Sequence, residues 1–250
     1  MQPLFRYVLV ADSHNAGIHP PARAPRILRA AYRFIQRAAR LTIVTNEALA
    51  QRVISNGGNP FVLEDKLPSF PDVGYSRLSG QYNVVCISTF APDEPICEVI
   101  RAASLIPNSV HIYMTGNWKR ARRRLPTSYP PNLIFTGYLP DRDYVRLLNG
   151  ADLILDLTLR DDCLVCGAYE AVALGKPLII SDTLALRALF GRGAVFTRNQ
   201  ADHIGYAITT AISNLDMLSA GVSELQCQMA AEWLKKRGKL IATINGLMIT

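Results

Sequence analysis

The run from Asp162 to Asp182, DCLVCGAYEAVALGKPLIISD, holds the residue types in this chain that are best suited to chemistry. Its carboxylates Asp162 and Glu170 stand eight positions apart, with Gly167 between them. An ionised carboxylate only accepts hydrogen bonds, so it suits sugar hydroxyl groups better than it suits phosphate. The glycine lets a ligand approach the backbone closely. The two acids therefore indicate a site that binds a sugar.

A short helix is predicted to begin at this glycine. Residues 163–167 read as a turn and residues 168–174 as a helix, which Gly175 ends and Pro177 prevents from continuing. Free N–H groups and the positive end of the helix dipole at such a start favour a diphosphate. A diphosphate beside sugar hydroxyls is the chemistry of a nucleotide sugar. The amides predicted to bind the diphosphate are those of Val165, Cys166 and Gly167.

The same run resembles the donor-binding signature of retaining GT-B glycosyltransferases, particularly glycosyltransferase family 4. In that signature Glu, seven residues and Glu are followed by Ala, a small apolar pair, Gly, a variable residue and Pro. In this chain the corresponding residues are Asp162, then seven residues, then Glu170-Ala171-Val172-Ala173-Leu174-Gly175-Lys176-Pro177.

This resemblance implies a role for each acid. Glu170 would hold the nucleotide ribose, and Asp162, one methylene shorter than the usual Glu, would contact the transferred sugar as a catalytic residue. The implied enzyme is a hexosyltransferase that moves a sugar with retention from a nucleotide-sugar donor to a glycan or lipid-linked acceptor. Cell-envelope polysaccharide or glycolipid synthesis is the implied setting. The fold does not normally require a metal, so neither metal ligands nor a cofactor are expected.

Downstream of Tyr82, β-type apolar runs alternate with helical patterns at the short spacing of βα units. This alternation predicts an α/β fold with a doubly wound, parallel, Rossmann-like sheet. Ligands bind beyond the carboxyl ends of such strands. Thr115, Gly116, Gly137 and Tyr138 follow predicted strands and join the predicted donor site. Strands are predicted at 83–89, 109–115, 132–136, 152–157, 177–181 and 194–196, and helices at 94–105, 119–124, 141–148, 168–174, 183–190 and 201–215.

The first 75 residues resemble part of the N-terminal, acceptor-side domain of a GT-B protein. They predict strands at 7–11 and 41–45 and helices at 25–40 and 47–55, followed by a linker rich in Pro and Gly at 67–74. The predicted domains are 1–75, 76–220 for nucleotide-sugar binding, and a helical segment at 221–250 that packs back toward the N-terminal part. A GT-B domain is expected to hold about 150 residues. The chain is therefore a fragment, or else its acceptor binding is compromised or comes from a partner.

His14 follows a predicted strand within the run Asp12-Ser13-His14-Asn15. Its position resembles that of the family's strand-end His, which faces the donor sugar, and this implies a second catalytic residue. Asn46 and Glu47 follow the next strand in a similar way. A polar strand end also forms helix caps and turns, and this alternative stays open for His14 and Asn46.

The region that usually supplies cations for the donor diphosphate departs from the family. Residues 88–95 read STFAPDEP, without an Arg or Lys. Asp93 and Glu94 would repel phosphate, or as early helix residues favour a helix start, and Arg160 is a candidate for compensation. An alternative function is therefore a truncated, non-catalytic protein of this fold that binds a nucleotide sugar or docks to a partner. A GT-B-shaped sugar-nucleotide epimerase is a third hypothesis.

The net charge of +7 comes from two basic segments, residues 22–41 and residues 119–124. On a helical wheel the arginines of the first segment, from Arg26 to Arg40, fall within about a quarter of the circumference. This face predicts docking to an anionic membrane surface. The alternative is a solvated face on a helix whose apolar side packs on its own sheet. Nucleic acid is not an expected partner, because interleaved aromatics and a helix-turn-helix pattern are missing.

Composition predicts a globular protein in a reducing compartment. Hydrophobic residues make up 49% of the chain, five cysteines lack secretory spacing, and no signal peptide is recognised. The expected location is the cytoplasm, with peripheral attachment to the inner face of the cell membrane as an extension. Cys163 and Cys166 have C-x-x-C spacing, which leaves a redox pair as a minor alternative, whereas structural zinc lacks a second ligand pair.

Overall fold

The structure, a computed structural model, describes residues 8–21 and 23–249. The chain divides into two compact units. The first consists of the described residues up to Lys66 together with those from Ala230 onward, and the second runs from Leu67 to Met229. The sequence predicted domain boundaries between residues 75 and 76 and between residues 220 and 221. Residue 7, where the first strand was predicted to begin, lies outside the described residues.

The first unit contains a three-stranded parallel sheet in the order β1-β2-β3. A small core of Ile18, Val44, Leu49 and Val53 fills its interior. The Asn46 side chain accepts the Leu49 N–H at 3.1 Å and so caps the helix that follows it. Asn46 therefore has the helix-cap role that the sequence left open. The elements are β1 (Val10–Asp12), α1 (Asn15–Ile18), α2 (Arg26–Ala38), β2 (Leu41–Val44), α3 (Glu47–Ser55) and β3 (Pro60–Val62).

Helix α2 exposes apolar as well as basic side chains. Ile27 is 79% exposed, Phe34 71% and Ile35 51%. Among the residues of this helix, all of which are described, Gln36 alone is buried. The apolar side of α2 is therefore not packed on the sheet of this unit, contrary to the alternative in which the arginines are only a solvated face.

The second unit is built on six parallel strands in the order β6-β5-β4-β7-β8-β9. The prediction of a doubly wound parallel sheet is confirmed. The strand order reverses between β4 and β7, which is the point where such sheets bind ligands. The elements are β4 (Tyr82–Cys86), α4 (Ile96–Ala103), β5 (Val110–Thr115), a 3-10 helix (Trp118–Arg124), β6 (Leu133–Gly137), α5 (Asp141–Gly150), β7 (Leu153–Asp156), α6 (Cys166–Ala173), β8 (Leu178–Ser181), α7 (Leu184–Leu189), β9 (Ala194–Thr197) and α8 (Ala201–Ile212).

Both faces of this sheet are buried, because side chains alternate along each strand and helices cover the two sides. Val84 and Leu153 join a cluster with α4 and α8. Val85 and Ile154 join the opposite cluster with α5, α6 and α7. The core thus fixes the carboxyl ends of β4 and β7 side by side.

A helix α9, Leu215–Ile249, belongs to both units. In the second unit α9 packs closely against Gly193. A Cβ atom added to this glycine would lie 2.3 Å from Val222 Cγ2. In the first unit Lys236 Nζ lies 2.7 Å from Glu64 Oε2. Across all described residues, we find no helix that combines the length and the apolar character needed to span a bilayer.

Candidate functional site

A cavity of about 570 Å³ opens at the carboxyl ends of β4, β5 and β7. It lies entirely within the second unit, at the point where the strand order reverses. Each wall comes from a segment that follows a strand. Its lining includes Ser88, Thr89, Asp93, Glu94, Thr115, Gly116, Arg120, Tyr138, Asp141, Tyr144, Asp156, Cys163, Val165, Cys166, Gly167 and Glu170.

Most residues of the predicted donor site line this one cavity. They come from three separated segments, namely Thr115 and Gly116, Tyr138, and the run that ends at Glu170. Gly137 and Asp162 are not among the described lining residues, although each adjoins one in sequence. His14 belongs to the first unit, where its Nε2 lies 3.9 Å from Asp65 Oδ1. The catalytic roles of Asp162 and His14 stay predictions.

Glu170 faces the cavity and is held by Tyr144, whose hydroxyl donates to Glu170 Oε2 at 2.5 Å. Burial raises the pKa of the Glu170 carboxyl, and the tyrosine hydrogen bond partly opposes this shift. Burial and the Glu170 charge also raise the pKa of Tyr144, so the phenol keeps its proton and stays a donor. Tyr144 lies on α5 and was not predicted, because nothing local in the sequence links it to a residue 26 positions later.

The backbone at the start of α6 contacts a buried acid at the end of β7. Asp156 Oδ2 accepts the Gly167 N–H at 2.8 Å. A Cβ added to Gly167 would stand 2.5 Å from that oxygen and 2.6 Å from Ile87 Cδ1. A glycine is therefore required at position 167 because the protein itself packs closely there. The sequence had instead suggested that this glycine makes room for a ligand. The Gly167 N–H is likewise already bonded, so a phosphate would have to displace Asp156 to reach it.

Asp156 itself is only 9% exposed. Burial raises the pKa of its carboxyl well above the usual value, the Gly167 hydrogen bond opposes the shift, and nearby Glu94 and Glu170 add to it. Relative to an exposed aspartate, the balance at the floor of the cavity is thus shifted toward the neutral acid. A neutral group removes one source of repulsion for an anionic ligand.

The loop after β4 carries Glu94 outside the helix that we had predicted to include it. Helix α4 begins at Ile96, and the Glu94 carboxylate turns back onto residues 88–90. Asp93 Oδ2 lies 2.7 Å from Arg160 Nε. Arg160 therefore neutralises Asp93 and is not among the described residues that line the cavity.

Arg120 is the one basic side chain among the described residues that line the cavity. It is exposed and lies in the 3-10 helix Trp118–Arg124. The sequence identified Arg120 only as a member of the basic segment 119–124. The same lining includes five carboxyl groups, those of Asp93, Glu94, Asp141, Asp156 and Glu170.

The Cys163 thiol does not have the properties of a redox-active thiol. Burial, which outweighs the opposing Arg160 charge, raises the pKa of Cys163 to about 11. A thiol with this pKa carries little of the reactive thiolate at neutral pH. In the part of the chain that the structure describes, no group of three or more His, Cys, Asp or Glu side chains is placed to hold a metal ion.

No protein-family model matches the chain, and neither does any curated protein. Solved structures match it over nearly its whole length. HepE from Anabaena in complex with UDP-glucose has a TM-score of 0.75 and 18% identity, over 95% of this chain and 72% of that chain. Sucrose-phosphate synthase from Thermosynechococcus elongatus gives 0.74 and 18%, over 96% and 69%. Trehalose 6-phosphate synthase from Burkholderia multivorans gives 0.69 and 15%, over 92% and 65%.

These neighbours are GT-B glycosyltransferases. At such low identities the likeness concerns the fold. The chain has an α/β fold of the GT-B type, as its sequence predicted.

Proposed function

We propose that this protein binds a nucleotide sugar in the cavity at the carboxyl ends of β4 and β7 and transfers the sugar to an acceptor with retention. One observation carries the proposal: Glu170, oriented by Tyr144, faces the cavity where the strand order reverses. Neighbours of the same fold support it, since HepE has been solved with UDP, with UDP-glucose, and with UDP and glucose.

In this proposal each group has a distinct task. Glu170 accepts hydrogen bonds from the ribose hydroxyls. The backbone at Val165 and Cys166 and the guanidinium of Arg120 stabilise the departing diphosphate, and stabilisation of developing charge by fixed groups is the largest contribution such a site offers. Asp162 orients the transferred sugar. Neither a metal nor a cofactor is assigned to the reaction.

The acceptor proposed is a glycan or lipid-linked saccharide of the cell envelope. Helix α2 supports this choice, because it exposes Ile27, Phe34 and Ile35 together with a row of arginines. A helix of this kind lies in the interface of an anionic membrane, with its apolar side chains among the acyl chains. The proposed location is therefore the cytoplasmic face of the cell membrane.

A second candidate is a protein of this fold that binds the nucleotide sugar without turnover. It is favoured by the balance of charge among the described lining residues. Even with Asp156 buried and Asp93 paired with Arg160, the carboxyl groups of Glu94, Asp141 and Glu170 outnumber the one cation, Arg120. An acidic cavity binds a diphosphate weakly and stabilises it poorly as a leaving group.

Calorimetric titration of the purified chain with UDP, GDP, ADP and CMP, followed by a turnover assay with the matching sugar donors, tests both candidates. Binding of one of these nucleotides, with release of that nucleotide from its sugar donor, supports the transferase. Binding without release supports the second candidate. If none of the nucleotides binds up to millimolar concentration, both proposals are rejected.

A further inference from the structure

The turn that follows β4 is wrapped around the carboxylate of Glu94. Ser88 Oγ donates to Glu94 Oε2 at 2.7 Å, and Thr89 Oγ1 donates to Oε1 at 2.5 Å. The backbone N–H groups of Thr89 and Phe90 donate to the same carboxylate at 3.0 Å and 2.9 Å. Two consecutive amides and two hydroxyls therefore converge on one anionic group.

Two consecutive N–H groups that point at one acceptor form a backbone nest, which is an anion-binding concavity. The nest depends on Phe90, a non-glycine residue with a φ of 60°, which is uncommon for a bulky side chain. The surroundings hold it in place: its ring is buried, its N–H also donates to Ser88 Oγ at 2.9 Å, and Arg124 Nη2 donates to its carbonyl at 2.6 Å. The turn therefore keeps an anion-binding shape at a cost in backbone strain.

The nest lies at the edge of the proposed donor site: of its two amide residues Thr89 lines the cavity, and Phe90 is not among the described lining residues. Ser88, Thr89 and Glu94 line the cavity, at the end of the strand beside which the order reverses. A phosphate oxygen accepts from the same donors as a carboxylate oxygen does. Glu94 precedes Pro95 and lies outside α4, so its side chain can swing away without breaking a turn of that helix.

We propose that Glu94 is a specificity-determining residue that fills the nest in the empty protein and competes there with a phosphate of the bound nucleotide. This inference rests on the proposed function. Phosphate-bearing ligands displace the carboxylate and lose affinity by the free energy of that displacement, whereas a nucleoside without phosphate binds beside it. Glu94 thus sets how strongly the site discriminates between ligands by their charge.

The test compares Glu94→Gln and Glu94→Ala with the unsubstituted chain by calorimetric titration with UDP and with uridine. Both variants are expected to bind UDP about tenfold more tightly, since they remove a competing charge, and to bind uridine within about twofold of the parent. Asp141→Asn is the matched control, because it removes a carboxylate from the lining of the same cavity without touching the nest. It is expected to change UDP affinity less than about threefold.

Unchanged or weaker UDP binding by both Glu94 variants would overturn the inference while leaving nucleotide binding intact. An equal gain in Asp141→Asn would also overturn it, since the effect would then be general charge repulsion. If UDP, GDP, ADP and CMP bind neither the parent chain nor the variants, the proposed function fails and the inference falls with it. Should Glu94→Ala unfold, the amide resonances of Thr89 and Phe90 in the parent chain decide the matter: they must shift with UDP and not with uridine.

Discussion

At the scale of single residues, Glu170 carries the most direct prediction. Glu170→Ala removes the proposed acceptor for the ribose hydroxyls and leaves the Tyr144 hydroxyl without its Glu170 partner. We expect UDP affinity to fall by about tenfold to a hundredfold, the range for a charged hydrogen-bonded group. Tyr144→Phe should cost about threefold to tenfold, because the carboxylate stays but loses its orientation. Titration calorimetry with UDP measures both.

Glu224→Ala is a suitable control for Glu170→Ala, since Glu224 belongs to the same unit, is exposed and pairs with Arg192. It should leave UDP affinity unchanged.

Asp162→Ala should lower turnover by at least about tenfold while changing UDP affinity less than about threefold, because Asp162 is assigned to the sugar and not to the nucleotide. Equal, negligible effects of Glu170→Ala and Asp162→Ala would contradict the assignment of the two acids.

A second prediction at this scale concerns Asp156. Because its pKa is raised in the folded protein, the folded state binds this proton more tightly than the unfolded state does. Stability is then lost as the pH rises above the unfolded pKa of about 3.9. Asp156→Asn keeps an oxygen for the Gly167 N–H and removes the titration. Its free energy of unfolding, measured with urea from pH 3.5 to 8, should rise relative to the parent by at most about 1.4 kcal/mol per pH unit.

The comparison for Asp156→Asn is Asp141→Asn, which changes an exposed carboxylate in the lining of the same cavity. A stability difference for Asp156→Asn that does not vary with pH would contradict a buried, neutral acid at this position. So would a variant less stable than the parent at pH 7 and equally stable at pH 3.5.

At the scale of elements, the junction between β7 and α6 depends on Gly167. Gly167→Ala would bring a methyl group to 2.5 Å from Asp156 Oδ2 and 2.6 Å from Ile87 Cδ1. Overpacking of this kind costs about 1–3 kcal/mol, which we expect as a lower free energy of unfolding in urea. Gly238→Ala, in α9 with nothing within 4 Å of the added Cβ, should raise stability by up to about 1 kcal/mol. Equal effects of the two substitutions would show that the junction is not closely packed.

Elements were also where the sequence predicted best. Each strand predicted after residue 82 overlaps an observed strand, for example 110–115 against the predicted 109–115. The inner strands β4, β5, β7 and β8 are buried on both faces. The apolar runs of all six strands lie between turn residues, so the pattern is local. Errors lie at helix ends. The helix predicted from Glu94 begins at Ile96, because Glu94 instead bonds to residues 88–90.

The site was predicted in part for the same reason. Glu170, Val165 and Cys166 stand in one run whose motif is visible in the sequence, and topology added Thr115, Gly116 and Tyr138. Asp156, Tyr144 and the Glu94 nest depend on which strand end meets which helix start, a tertiary relation without a local signal. Phe90 in a left-handed conformation is likewise invisible in a run that contains no glycine.

At the scale of the whole molecule, the net charge of +7 is concentrated in two basic segments, one in each unit. Only the segment on α2 combines its arginines with exposed Ile27, Phe34 and Ile35. Of the two basic segments, α2 is therefore the better suited to a bilayer, since stable binding requires apolar insertion as well as charge. Each basic residue near an anionic surface contributes about 1 kcal/mol.

Reversing two charges on α2 should therefore weaken the proposed membrane binding more than the same change elsewhere. Arg26→Glu with Arg33→Glu shifts the net charge by about four units, and we expect partitioning onto vesicles with 30% phosphatidylserine to fall at least about tenfold. Arg122→Glu with Arg123→Glu changes the charge equally in the 3-10 helix of the second unit. This control should reduce sedimentation with vesicles less than about threefold, because no row of apolar side chains accompanies those arginines. Equal losses in the two variants would mean that net charge, and not the amphipathic face of α2, governs attraction to the membrane.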